Sequence, residues 1–387
     1  MVVVTLDAPL GVPFLMIRYF PRRRFLAEEI LSKSKPVLMS YLKPFPAPQI
    51  SFNPFGTARA AWCFLAVLMV FFLTKVTAQD TLLNASYDVS RELYREINAS
   101  FAADWKARTG RSVEIRQAHA GSSVQARAVI DGLEADVVTF NQVTDLDALV
   151  EAKLVSKDWQ TKYPYNASPY RSIMVFIVRH GNPKKIKNWE DLVKPGMQIA
   201  LANPKTSGNG RYAYLSAYGY ALKAAGGDEA AAFEFVKKFY ANVPVMDTGG
   251  RGATSTFAAR NIGDVLLTFE SEASLIRSQF GADKIEVVIP PLTMPVDFPV
   301  ATIDPVVDRH KNRSLAEGYL RFLFSEAAQE IFTKFDYRPL LPSIADKYRD
   351  HFQQTELIDP EKAFGGWDKI QRTIFGDGGA FDRIYVR

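Results

Sequence analysis

A single cysteine, Cys63, occurs in the 387 residues. One cysteine forms no internal disulfide, and no thiolate metal set can be built from it. Histidine is nearly as scarce: the four, at 119, 180, 310 and 351, stand far apart, and no H-E-x-x-H occurs. The usual zinc spacings are therefore missing. There is no G-x-x-x-x-G-K-[ST], and the run GGRG (249–252) is not G-x-G-x-x-G, so the common marks of nucleotide binding are missing too. We expect no metal and no cofactor.

A run long enough to span a membrane is also lacking. The apolar stretch AAWCFLAVLMVFFL (60–73) has 14 residues, against about 20 for a spanning helix. Arg59 precedes it and TKVTA follows, with small Val76 and Ala78 placed as a signal peptidase requires. This is the basic flank, apolar core and cleavage site of an export signal, with cleavage after Ala78 and a membrane anchor as the rival reading. Residues 1–50, Pro-rich and basic at PRRR (21–24), are unlike a signal peptide and read as an over-extended start, with Met39 one alternative start. Cys63 lies inside the apolar core, too early for a lipid-attachment cysteine, so the exported chain would contain no cysteine at all. That suits an oxidising compartment.

Excess charge is missing as well once the chain is divided. Of the 47 basic and 42 acidic residues, nine and three lie in 1–78, which leaves 38 and 39 in 79–387. The formal net charge of +5 belongs to the N-terminal segment, and no cationic footprint for nucleic acid remains beyond it.

What is present is an alternation of short apolar runs and amphipathic stretches. TLLNASY reads as a strand, and SRELYREINASFAADWKART as a helix with Leu93, Ile97, Phe101 and Trp105 four apart. SVEIRQAH, SVQARAVIDGL, ADVVTF and DLDALVEAK continue a βαβαβα pattern, the mark of a parallel α/β sheet. SIMVFIVRHGNP (172–183) predicts a long strand leaving for a second α/β set, and FPVATIDPVV (298–307) a returning strand. RSLAEGYLRFLFSEAAQEIFTKF (313–335) predicts one long amphipathic helix, and the remainder helix with a glycine-rich loop, GDGG. The length asks for more than one core. We divide the chain into an N-terminal extension, 1–78, lobe I, 79–171 with 304–387, and lobe II, 172–303, with a ligand cleft between the lobes.

Four places share one design, in which a strand ends, small polar residues follow and a helix begins. They are SYDVSREL (86–93), HAGSSVQA (119–126), NPKTSGNGRY (203–212) and DTGGRGATSTF (247–257). Each is able to present bare N–H groups and the positive end of a helix dipole to an anion. Ordinary capping by Ser, Thr or Asp explains any one of them alone. Four across both lobes, two of them glycine-rich, ask for more. A catalytic reading of the same residues joins His119 and Ser122 with Asp88 or Asp136, as in an ester hydrolase. HAGSS is not the strained G-x-S-x-G elbow, however, and His119 at a strand end has capping as its simpler explanation. Arg91 and Arg211 open helices on first turns expected to be solvated, and Trp105, Trp189 and Trp367 read as packing residues.

These stretches, with ADVVTFNQVTD, GDVLLTFESE and FGGW (364–367), resemble the sulfate/thiosulfate-binding proteins of bacterial ABC importers. The resemblance runs from about Thr81 to the C-terminus. It implies a two-lobed type II periplasmic binding protein fold that closes on a dehydrated oxyanion, a monomer that docks on a membrane permease, and no enzyme activity. It also implies neutral donors: the Asp88 N–H, the Ser122 hydroxyl, Ser207 with the N–H groups of Gly208 and Asn209, and the Gly250 N–H. Arg251 would act indirectly at the rim. Sulfate-specific relatives place an indole N–H on the anion where this chain has Phe269, and tend towards glycine where it has Asn209. A phenyl ring offers no ordinary donor, so Phe269 would face the softer sulfur of thiosulfate or belong to the core. Sulfate and thiosulfate carry no proton at neutral pH, so their site should hold donors only. Asp88, the one acid in the four junctions, is expected to spend its carboxylate on its own helix, which disfavours phosphate.

Overall fold

The computed structural model describes residues 79–384. The apolar run 60–73, its flanks and the cleavage site after Ala78 lie outside the described residues. Among the described residues no helix is long and apolar enough to cross a membrane.

Strand β1 (Asp80–Tyr87) passes through a turn of 3-10 helix, Asp88–Ser90, into helix α1 (Arg91–Thr109). Leu93, Ile97, Phe101 and Trp105 are all buried, as one apolar stripe four residues apart requires. The helix stops where Gly110 takes a left-handed backbone, φ 72°. Strand β2 (Val113–Ala120), helix α2 (Ser122–Ile130), strand β3 (Val137–Thr139) and helix α3 (Val143–Glu151) complete the pattern. β1 pairs in parallel with β2 on one side and β3 on the other, so the three strands bring their carboxyl ends to one edge.

Strand β4 (Tyr170–Arg179) opens the second sheet. Its side chains alternate between two cores, Met174, Phe176 and Val178 on one face and Ile173, Val175 and Ile177 on the other. That is why the run is apolar throughout instead of alternating. There follow β5 (Ile199–Ala202), α4 (Gly208–Ala224), α5 (Glu229–Ala241), β6 (Val245–Asp247), α6 (Gly250–Thr254), β7 (Val265–Phe269) and α7 (Glu272–Phe280). The strands β8 (Ile285–Val288), β9 (Leu292–Thr293) and β10 (Pro295–Asp297) come next. The sheet order is β10-β4-β7-β5-β6, with β8 also on β4. β5 is parallel to both neighbours, whereas β4 and β7 are antiparallel.

The chain then returns to the first sheet, where β11 (Val300–Thr302) lies antiparallel to β3. This strand is shorter than the apolar run 298–307, because Asp304 and Pro305 open helix α8 (Asp304–His310), and proline suits a first helical turn. The expected single helix over 313–335 is two, α9 (Arg313–Phe322) and α10 (Glu326–Lys334). Ser325 breaks it by accepting the Ala328 N–H at 3.3 Å, a cap that starts a new helix. Strand β12 (Arg338–Pro339) pairs with β4, and β13 (Glu356–Leu357) with β9. The last segment packs on the second sheet's helices. Ile358 and Phe364 cover Gly219 of α4, and Lys205 Nζ donates to the Phe375 carbonyl at 2.9 Å and meets the Asp382 carboxylate at 2.8 Å.

Buried hydroxyls tie the two sheets together: Tyr87 of β1 donates to Tyr337 at 2.9 Å, and Tyr94 of α1 meets Tyr170 of β4 at 3.0 Å. On the face of β4 that carries Phe176, Trp189 is fully buried, lies edge-on to Phe176 and donates its indole N–H to the Leu292 carbonyl at 2.7 Å. Trp189→Ala is expected to lower stability by about 3–5 kcal/mol in urea unfolding. A loss below about 1 kcal/mol, the range of surface substitutions, would show that the indole does not anchor this core.

Candidate functional site

The four junctions singled out in the sequence become four helix starts. They are the 3-10 turn after Tyr87, α2 after Gly121, α4 after Ser207 and α6 after Gly249. In none of them does the residue at the cap position bond the first turn through its side chain. The chain has proper caps elsewhere: Asp228 and Ser325 cap α5 and α10, and Asp359 caps the short helix Pro360–Phe364. Ordinary capping, the simpler explanation for the small polar residues, is thus not how α2 and α4 are used. Their N–H groups and positive dipole ends are left for another acceptor, whereas Asp88 Oδ2 accepts the Arg251 N–H at the start of α6.

The four starts also meet. A Cβ built on Gly121 would lie 2.5 Å from the Thr206 carbonyl oxygen and 3.4 Å from that of Thr248, so the first sheet's loop abuts both loops of the second. A Cβ on Gly208 would run into the side-chain amide of Asn141, and only glycine allows that approach. Gly250 lies against Val89, Asn209 and Glu272, and Gly249 against the Asp88 carboxylate. Asp88, Ser122, Ser207, Gly208, Asn209 and Gly250 therefore come together. Ser122 and Ser207 are buried. Ser122 Oγ sits by the Asp145 carboxyl without a hydrogen bond of ordinary geometry, and Asn209 Oδ1 is likewise buried and unpartnered.

Charges at this place are paired off in two crossings between the sheets' elements. Arg251, after Gly250, makes a bidentate pair with Glu92 of α1 at 2.9 and 3.0 Å. Its backbone N–H donates to Asp88 Oδ2 at 3.2 Å. The Asp88 carboxylate thus serves the start of α6 as well as the N–H groups of its own turn at Asp88 and Val89, so the expectation that its own helix would occupy it holds in part. Arg211 is buried, not solvated as its place on a first turn suggested. It donates to Thr144 Oγ1 at 2.8 Å and to the Pro204 carbonyl at 3.0 Å, and approaches Asp145 at 3.6 Å. Arg91 is exposed, as expected. Burial raises the Asp145 carboxyl above its usual range, against the pull of Arg211, and raises that of Asp88 against its hydrogen bonds.

The hydrolase grouping does not assemble. His119 contacts the Tyr87 carbonyl through Nδ1 at 3.0 Å and Gln117 through Nε2, and neither nitrogen bonds Ser122. Asp136 is taken by His310 and Asn312. Burial pushes the His119 imidazole below its ordinary value, so it is held neutral near pH 7.

Phe269 is fully buried, edge-on to Phe298 with ring centroids 5.6 Å apart and to Tyr212 at 6.1 Å. The structure places it in the aromatic core.

Sequence reasoning missed Glu272, which lies in the same FESE run as Phe269. Its buried carboxyl accepts from Thr268, from Thr254 at 2.9 Å and from Asn209 Nδ2 at 3.2 Å, and supports the 209 and 250 loops from below. A carboxylate with three protein donors is not a free acceptor in the cleft. The signal was hard to find because only the fold carries the start of α7 under α4. Burial pushes this carboxyl up to about 7, with Asp88 adding to the rise. A group raised in the folded state contributes stability in full below its unfolded value near 4.5, and loses it as pH climbs through 7. The loss is up to about 3 kcal/mol. Urea unfolding from pH 5 to 8 should therefore fall less steeply for Glu272→Gln than for the wild type, and equal slopes would contradict this.

The chain matches the family model for bacterial extracellular solute-binding proteins over residues 85–338. It is 52% identical over 309 residues to a thiosulfate-binding protein of Pseudomonas aeruginosa, covering 80% of this chain and 93% of that one. A sulfate-binding protein of Salmonella typhimurium is 46% identical over 315 residues, 81% of this chain and 96% of the relative. Among solved structures, the sulfate-binding protein of Mycobacterium tuberculosis superposes with a TM-score of 0.70 at 27% identity, over 77% of this chain and all of that one. The fold is accordingly the two-lobed α/β fold of solute-binding proteins. Helix starts meeting at one place and these likenesses lead to one conclusion: the chain belongs to the bacterial extracellular solute-binding proteins, in the family of the sulfate- and thiosulfate-binding proteins.

Proposed function

We propose that this protein is the extracytoplasmic binding subunit of an ABC importer, capturing thiosulfate and sulfate between its lobes and delivering them to a membrane permease. The observation that carries the reading is the meeting of four helix starts that no side chain at the cap position satisfies. A doubly charged oxyanion enclosed there accepts the N–H groups of Asp88, Gly208, Asn209 and Gly250 and the hydroxyls of Ser122 and Ser207. Arg251 and Arg211 already hold carboxylates, so the anion is stabilised by dipoles instead of a counter-charge.

The lobes follow the two sheets. Arg251–Glu92 and Arg211–Thr144 bridge them when the cleft is shut. The protein acts in the periplasm as a monomer and catalyses nothing. Phe269 brings no donor to the anion, which favours thiosulfate, whose terminal sulfur accepts hydrogen bonds poorly. Calorimetric titration of residues 79–387 is expected to give one site, with thiosulfate bound at least as tightly as sulfate and phosphate weakly. A clear preference for sulfate would overturn the thiosulfate assignment. Hydrolysis of an aryl sulfate ester, lost in Ser122→Ala, would overturn the binding-protein reading.

A further inference from the structure

Resting on that reading, we propose that Gln142, with Asn141 beside it, forms a further wall of the anion site and donates a carboxamide N–H to the bound anion. They follow β3, which lies beside β1 in the parallel part of the first sheet. Their junction with α3 therefore stands on the same carboxyl edge as the junctions of Asp88 and Ser122, where ligands of such sheets bind.

Both residues are buried, Asn141 at 1% exposure and Gln142 at 0%. Asn141 Oδ1 and both polar atoms of the Gln142 amide have no hydrogen-bond partner, and of these Gln142 Nε2 is the donor that a fully ionised anion can satisfy. Gln142 stands at the cap position of α3, yet its side chain does not cap the helix. A carboxamide offers two donors and an acceptor, and burying it unpaired is costly enough that such groups ordinarily have an unseen partner. The partner's place is marked by Asn141, which packs against Gly208 at the start of α4. Ser122 Oγ, also buried and unpartnered and able to donate, belongs to the same meeting of loops.

The test compares the wild type with Asn141→Ala/Gln142→Leu, and with each single variant, by titration with thiosulfate and with sulfate. We expect the double variant to lose about tenfold or more in affinity for both anions, the weight of a hydrogen bond to a charged group. Ligand-free melting of Gln142→Leu should be unchanged or higher, because two unpaired buried polar atoms are removed. A merely structural amide would instead lower it. Unchanged affinity for both anions overturns the proposal while leaving the proposed function standing. A wild type that binds neither anion overturns both.

Discussion

Gly208→Val is expected to reduce thiosulfate affinity by about 100-fold, with the fold retained by circular dichroism. The reason is spatial before it is electrostatic. The place a Cβ would take is already filled by the Asn141 carboxamide. A branched side chain there must push α4 and the β3–α3 loop apart. Because α4 begins at Gly208, the N–H groups at 208 and 209 withdraw from the anion together. Overpacking of this kind costs about 1–3 kcal/mol, and losing one bond to a charged acceptor adds about as much. Gly208→Ala should fall between the two. Wild-type affinity in the valine variant would mean that the lobes do not need this contact to close.

Arg251→Met is expected to weaken thiosulfate binding by about 10- to 100-fold, with a loss that shrinks as salt is added. Arg251 is bidentate to Glu92, and its backbone N–H carries Asp88. Methionine keeps the backbone bond and most of the side-chain length but removes the positive charge. Glu92 and Asp88 are then two negative groups at the start of α6, facing an incoming dianion without a cation between them. The companion variant Glu92→Gln should lose far less, since it removes the repulsive member of the pair. Equal losses in the two variants would show that the bridge matters as a strut and not through its charge.

The fold was legible in the sequence wherever local pattern decides it. The four-residue spacing of Leu93, Ile97, Phe101 and Trp105 gives α1, and unbroken apolarity gives β4. What local pattern misjudged was interruption. The amphipathic period runs straight through Ser325, and only the cap geometry there shows two helices where one was expected. The site was legible in the same uneven way. Gly208, Gly250 and the serines announce helix starts by composition, whereas the hydrogen-bond partners that Asp88, Arg211 and Arg251 find among the other sheet's elements lie 67 to 163 residues away in the chain. Glu272 and the Asn141–Gln142 pair went unread because each looks like an ordinary helix beginning until its burial is known.

The bare helix starts have a consequence for the life of the protein as well as for its affinity. On the proposed function, a helix that borrows its cap from a solute is complete only while the solute is present. Ligand that binds the folded chain alone adds about 2.7 kcal/mol of stability at a hundred times its dissociation constant. Supply of the nutrient then governs not only how much is carried but how long each empty carrier survives among proteases. In a sulfur-poor medium the unloaded molecule is the softer one, open at the places where four backbones converge.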